Sequence, residues 1–412
     1  MKSNKRWGIL VIATISLLFQ GLIYAWSIFK TPIAEMFPTW TVSQLSMTFT
    51  ISMSMFCIGG FLGGILSKKL SLRVKFFISA VCMFIAFWGV SMLNPAKPAT
   101  ALTMLYFFYA FFGGGGVGFA YNATVGSVTK WFPDCVGLAS GIMLMGFGMG
   151  SLVLGSVASS MMASQGVPVT FKIFAVLFAV AMILSAFFIK LPTEADLEGI
   201  GATPAAGKAV NVTESKQYTP GEMLKTAKFW IFFAWVIFVS SAGLLVINSA
   251  ANISVAYGGA AILGMIVSLT NGFGRVINGR IFDKKGSAIA TLCCTLFMII
   301  AGALLAVGGM TSQYIFILLG LIFVGLAFGG CPALSSAYAS KTFGAQNFGT
   351  NFAILNFNLI GAAFIGPSVS SKLLEASQGS YITNFYAVLA FAIVGLVLWF
   401  GLATILKKEE SK

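Results

Sequence analysis

The sequence predicts an all-α polytopic membrane protein with twelve transmembrane helices in two six-helix halves. Three observations carry this. Of 412 residues, 58% are hydrophobic and 9% charged, against about 25% charged in an ordinary soluble chain. The apolar stretches approach or exceed ~20 residues, the length a helix needs to cross the hydrocarbon core. Membrane strands would instead alternate over ~10 residues. Finally, the basic residues recur in short loops after every second stretch, which is the charge asymmetry of a multi-pass chain.

The first span, at about residues 7–29, follows the basic start MKSNKR. Its apolar run is too long for a signal-peptide core and lacks an A-x-A-like exit, so it reads as a membrane helix. Spans two to six fall at about 42–66, 76–93, 101–125, 136–160 and 171–190. Spans seven to twelve fall at about 228–250, 259–281, 288–308, 314–337, 348–372 and 382–406. Residues 191–227 lie between the two sets. They hold five of the eleven acidic residues (Glu194, Asp196, Glu198, Glu214, Glu222) and little apolar content, so they read as a polar linker. The expected organisation is an N-terminal six-helix bundle (1–190), the linker (191–227) and a C-terminal six-helix bundle (228–412).

Orientation follows from lysine and arginine. One side receives Lys2, Lys5 and Arg6, then Lys68, Lys69, Arg73 and Lys75, Lys130, the linker, Arg280, Lys284 and Lys285, Lys341, and finally Lys407, Lys408 and Lys412. The other receives Lys30, Lys97, Lys172 and Lys372. Both termini and the linker are therefore expected in the cytoplasm, with the chain in the cell membrane.

The same placement explains the net charge of +14 without nucleic acid, since no basic, aromatic-interleaved soluble face exists. The six cysteines include no C-x-x-C and read as small packing residues. Histidine is absent, which removes the commonest metal ligand and general base. No glycine-rich stretch ends in G-K-[ST], so ATP hydrolysis is not expected. The dense glycines of FFGGGGVGFAYN (111–122) and GFGMGSLVLG (146–155) read first as surfaces of close helix approach. No cofactor or metal is expected, and the expected partners are a small solute and the bilayer, with the chain working as a monomer.

One charge does not fit a loop. Arg275 lies in SLTNGFGRVINGR, eight residues before Asp283 at the end of the eighth span, hence ~12 Å inside. Such a charge costs about 2.5–3.5 kcal/mol on insertion scales. Arg280, near the boundary, reaches the headgroups by snorkelling. A buried ion pair would explain Arg275, but every acidic residue falls in a loop, the linker or a tail. The missing counter-ion is then the solute itself, a small organic anion. Asn271 and Asn278 share the helix face of Arg275, and Asn271 is expected to hydrogen-bond within the site. Asn351, Leu355 and Asn358 share a face of the eleventh span. Gln20, Tyr24, Tyr121 and Asn248 are further polar or aromatic side chains at useful depth, each equally readable as interhelical packing.

Several motifs carry a family resemblance. GGILSKKLSLRVK (63–75) and NGRIFDKKGSA (278–288) resemble the G-x-x-x-D-[RK]-x-G-R-[RK] loop of the major facilitator superfamily. The second copy keeps Asp283 and Gly286, while the first has Lys68 and Ser71 at those places. The resemblance implies gating roles for Asp283 and Arg280, because that loop's charges bond helix ends in the family. KWFPDCVGLASG (130–141), YTPGEMLKTAKFW (218–230) and NGFGR (271–275) are similar to stretches of the oxalate/formate antiporter family, relatives of monocarboxylate transporters. The resemblance implies that Tyr24 and Tyr121 line the cavity and that Phe328 belongs to a cage of span-ten aromatics. Pro332 stands where that cage has a tyrosine. It also implies departures at two charged positions. Asn271 stands where some relatives have a proton-cycling aspartate, and Leu355 where the oxalate-transporting members have a second cation.

One cation favours one anion, because a dicarboxylate would leave its second charge unpaired at low dielectric. The expected function is a secondary transporter of small organic anions, most simply monocarboxylates, by alternating access with exchange or facilitated diffusion. An Arg275 without its counter-ion tips that expectation toward exchange. Oxalate:formate exchange and proton-coupled symport are the alternatives within the class. An intramembrane enzyme is disfavoured by the missing histidine, H-E-x-x-H and paired carboxylates. A channel or sensor is disfavoured by the missing pore repeat or signalling domain.

Overall fold

The computed structural model describes residues 2–198, 216–264 and 266–410. Ten helical stretches among them are long and apolar enough to cross a membrane. Two of these are too long for one crossing. Val136–Phe188 has 53 residues and Ile266–Thr311 has 46, or ~80 and ~69 Å at 1.5 Å per residue, against a ~30 Å core. Each turns at a glycine with positive φ, Gly166 (φ 80°) and Gly286 (φ 81°), a conformation that only glycine adopts freely. Each therefore carries two crossings, and the fold is the twelve-span helical arrangement. Within each helix the interior backbone donors and acceptors are satisfied internally, as hydrocarbon requires.

Helix starts carry the local signals that open them. Thr41 and Gln44 form a reciprocal capping box before the second span, with Gln44 N donating to Thr41 Oγ1 at 3.2 Å and Thr41 N to Gln44 Oε1 at 2.8 Å. Ser71 caps the third span and Thr226 the seventh. Outward faces keep apolar side chains exposed, such as Val81, Phe187, Phe364 and Val397, which meet acyl chains of similar apolarity.

Among the described residues, four spans are interrupted. The first runs Lys2–Gln20, narrows to a 3-10 turn at Gly21–Ala25, and resumes as Trp26–Met36. The fourth carries a π-helical stretch, Tyr106–Gly113, before Gly114–Val128. The seventh, Ala227–Ile247, breaks at Asn248 and Ser249 before Ala250–Ala256. The eleventh divides into Phe348–Asn356 and Asn358–Ala376.

The chain packs as two compact units. The first comprises Met1–Phe132, Gly146–Ile200 and Phe348–Ile354. Its core is aromatic, built on Phe29, Phe87, Tyr109, Phe171 and Phe178. Ser79 Oγ donates to the Gly116 carbonyl at 2.7 Å, tying the third span to the fourth. On the side bearing the amino terminus, Lys5 pairs with Asp196 at 2.7 Å and lies over the Trp131 ring.

The second unit comprises Pro133–Met145, Gly201–Asn347 and Leu355–Lys412. Phe232 stacks on Tyr338 with centroids 3.9 Å apart, and Trp235 Nε1 donates to Thr295 Oγ1 at 2.8 Å. Lys228, at the start of the seventh span, pairs with Glu409 at 2.8 Å and donates to the Tyr218 hydroxyl at 3.2 Å, over the Tyr218 and Phe343 rings. In each unit a cation at the start of the opening span thus lies over an aromatic ring and pairs with an acid near the end of that unit's last helix or just after it. Of the linker, 199–215 lies outside the described residues, and so does the expected site's Tyr24 side chain.

Candidate functional site

In the second unit, helix rise and register deliver Arg275 to the interior as the sequence spacing requires. Its side chain is 4% exposed. Nε donates to Asn271 Oδ1 at 3.2 Å, one helical turn earlier. Nη1 donates to the main-chain carbonyl of Leu144 on the fifth span. These two acceptors are both neutral groups. Asn278, on the same face, is also buried, but its Nδ2 donates to the Gly274 and Leu326 carbonyls at 2.9 and 3.0 Å. That arrangement ties the eighth span to the tenth.

The fifth and eighth spans meet at glycines. A Cβ added to Gly141 would stand 2.5 Å from the Arg275 carbonyl oxygen and 2.9 Å from Val276 Cα. Gly137 faces Gly279 in the same way, one turn away. Such small-residue faces let helix backbones touch.

At the outer end of the same contact lies Asp283. Its carboxylate accepts from Gly137 N at 2.8 Å and Leu138 N at 2.7 Å. These are first-turn amides of the helix beginning at Val136, which have no intrahelical acceptor. Asp283 therefore caps the fifth span from another helix. Lys341 Nζ donates to the Pro133 carbonyl at 2.5 Å just before that helix. Arg280 is exposed.

The other expected residues of this unit are spread along their spans. Phe328 is half-buried with its ring against Gly243 of the seventh span. Next to it, Gly329 lies against Asn271, where an added Cβ would stand 3.0 Å from Oδ1. Leu355 is fully buried, and its carbonyl accepts from Asn358 Nδ2 at the break of the eleventh span. Asn248 is exposed at the break of the seventh.

In the first unit, Gln20 is 1% exposed. Its Nε2 donates to Ser16 Oγ at 3.1 Å and Thr124 Oγ1 at 3.3 Å, while Oε1 has no partner among the described residues. Ser185 Oγ extends the cluster to Ser16 at 2.8 Å. Tyr121 is buried among aromatic rings, with Phe56 at 5.0 Å, Phe147 at 4.9 Å and Phe352 at 6.0 Å between centroids. Asn351, beside Phe352 on the eleventh span, is buried too.

A guanidinium so placed is chemically able to hold an anion. Among the described residues no group of three His, Cys, Asp or Glu side chains could hold a metal ion. Sequence reasoning missed Leu144 because a backbone acceptor has no side-chain signature. The Gly137 and Gly141 spacing in CVGLASG was the available sign. It also missed the helix interruptions at Gly21–Ala25, Asn248–Ser249 and Phe357, all three of which adjoin expected site residues.

Comparison with known proteins agrees with this architecture. The family model of the Major Facilitator Superfamily matches residues 7–367. An oxalate:formate antiporter of Oxalobacter formigenes is 29% identical over 292 residues, 69% of this chain and 65% of the relative. The uncharacterized MFS-type transporter YhjX of Escherichia coli (strain K12) is 24% identical over 284 residues, 68% of this chain and 66% of the relative. The matches thus span just under two thirds of these relatives' length. Among solved structures, the proton:xylose symporter XylE superposes with a TM-score of 0.75 at 18% identity, covering 98% of this chain and 96% of that one. The E. coli fucose:proton symporter FucP does so with 0.65 at 14% identity, covering 95% and 98%. At such identities these two speak for the fold alone.

Proposed function

Because the chain belongs to the major facilitator superfamily, we propose that it is a secondary transporter of small organic anions, with Arg275 as the anion-binding group. The observation that carries this reading is a guanidinium held in the interior of the eighth span, 4% exposed, which donates to Asn271 Oδ1 and to the Leu144 carbonyl. Intramembrane charges of this kind mark solute pathways. The interruptions of the first, seventh and eleventh spans next to Gln20, Asn248 and Leu355 support the same reading, since carriers bind their solutes at discontinuous helices.

The substrate is a monocarboxylate, because Leu355 is apolar and buried where a second cation would be needed to match a dianion. The name of the Oxalobacter relative favours a second reading, oxalate:formate exchange. The two halves, 1–190 and 228–412, work by alternating access around the site, with Asp283 and Arg280 at the gate. The chain acts as a monomer in the cell membrane, both termini and the linker in the cytoplasm, without a cofactor, nucleic acid or enzymatic step. The test is counterflow in proteoliposomes against formate, acetate, lactate, pyruvate, oxalate and succinate, with Arg275→Gln in parallel. Arg275-dependent uptake of monocarboxylates supports the reading. Strong oxalate exchange with none of the monocarboxylates would establish the second reading.

A further inference from the structure

An anion site built on one arginine leaves open what holds that charge when no anion is bound. A guanidinium has N–H donors and no acceptor, and at 4% exposure Arg275 has little access to water. The structure supplies internal acceptors at two of its nitrogens. Asn271 Oδ1 receives Nε, and the Leu144 carbonyl receives Nη1. A helical carbonyl has a second lone pair, so Leu144 can accept from Arg275 and keep its place in the helix.

This contact depends on how near the fifth span comes. Gly137 and Gly141 lie four residues apart, on one face of that helix. They meet Gly279 and the Arg275–Val276 backbone, respectively. Leu144 lies three residues beyond Gly141, further along the same stripe. A side chain at Gly141 would meet backbone, which cannot give way, and would carry the Leu144 carbonyl away from Arg275.

We propose that the Leu144 carbonyl and the Asn271 amide oxygen stand in for the substrate carboxylate on Arg275 in the empty carrier, with Gly141 as the positioning residue. The inference rests on the reading of Arg275 as the anion site. A carboxylate makes stronger, charge-assisted bonds to a guanidinium than a neutral carbonyl does, so substrate displaces Leu144 when present. When substrate leaves, the carbonyl returns and the charge stays paired during closure. The empty carrier can then reorient, and net flux proceeds beside exchange.

The experiment compares two fluxes of radiolabelled acetate from proteoliposomes, with formate and lactate in parallel. One is efflux into substrate-free buffer, the other efflux into buffer with excess unlabelled substrate. Wild type, Gly141→Ala and Arg275→Gln are measured. A further variant carries an ester in place of the amide between Leu144 and Met145, introduced as an α-hydroxy acid at position 145. The ester carbonyl is a weaker acceptor and adds no bulk, so it keeps the test sound should Gly141→Ala misfold. Wild type should show both fluxes. In both fifth-span variants net efflux should fall at least about tenfold relative to exchange, the lower end of what one hydrogen bond to a charged group represents. A merely structural defect would lower both fluxes together. Exchange without net efflux in wild type, or an unchanged ratio in both variants, overturns the proposal while Arg275 stands as the anion site. Acetate, formate and lactate fluxes indifferent to Arg275→Gln would remove both.

Discussion

Arg275→Lys is the sharpest probe of the site because it keeps the charge and removes the geometry. Arg275 presents Nε and Nη1 to two acceptors on different helices, Asn271 and Leu144. A lysine ammonium is a point charge on a flexible stem and has no planar fork. It can face a carboxylate oxygen but cannot match both oxygens at once. Losing one charge-assisted hydrogen bond of about 1.5–3 kcal/mol weakens binding roughly 10- to 150-fold. Arg275→Gln removes the charge as well, and saturable uptake should vanish. Its amide can still donate to the Leu144 carbonyl, and it buries no ion, so folding should survive and the melting temperature should hold or rise. The assay is concentration-dependent uptake of labelled acetate, formate and lactate into proteoliposomes, read beside thermal unfolding in detergent. Wild-type uptake by the Gln variant would refute the assignment of Arg275. Equal apparent affinities of Lys and Arg proteins would refute the bidentate argument alone.

Leu355→Lys should move preference from monocarboxylate toward oxalate in counterflow, by supplying a second cation from a buried position. Asp283→Ala should cost about 1–2 kcal/mol, measured by thermal unfolding, because it uncaps two first-turn amides of the fifth span; Asn, with one acceptor oxygen, should cost less. Glu409→Ala should destabilise more than Lys228→Ala, since the Lys228 side chain is 5% exposed and Glu409 48%. Losing the lysine frees a carboxylate that water can solvate, whereas losing the glutamate strands a buried ammonium, and unequal melting temperatures would show this. Finally, Asp196 has its carboxyl lowered to about 2, chiefly by the Lys5 hydrogen bond and then by those from Thr193. A depressed pKa contributes stability above the ordinary carboxylate range and loses it as pH falls through about 2. The difference in melting temperature between wild type and Lys5→Gln should therefore be the same at pH 5 and pH 8.

Apolar length and basic loops made the spans legible, because hydrocarbon thickness and charge placement act on whole segments. The ends were less legible. The helix through residues 136–188 continues past the expected stop near 160 and turns at Gly166, just before Pro168. A glycine able to take positive φ, followed closely by a proline, was the local sign of that turn. Arg275 was legible because a charge in an apolar run has few explanations. The other expected site residues were less so: Gln20, Tyr121 and Asn248 are polar or aromatic in places where packing and solute binding use the same residues. In the structure Gln20 and Tyr121 are engaged with neighbouring helices, while Asn248 sits at a helix break.

Asp283 and Arg275 looked independent in the sequence, one in a loop motif and the other a lone charge in an apolar run. The fold joins them through the first three turns of the fifth span. Asp283 holds its opening amides at Gly137 and Leu138, and Arg275 holds the carbonyl of Leu144, seven residues after Gly137. The glycine contacts lie between. A helix of this length moves as a rigid rod, because each residue's displacement is carried to the next by the i to i+4 bonds. Displacing the segment far enough to free one clamp therefore strains the other. Asp283 carries a formal charge onto neutral amides and Arg275 onto a neutral carbonyl, so neither clamp needs a charged residue in the fifth span. That is the physical reason why a charge-based reading of the sequence singled out Asp283 and Arg275 and still missed the element that links them.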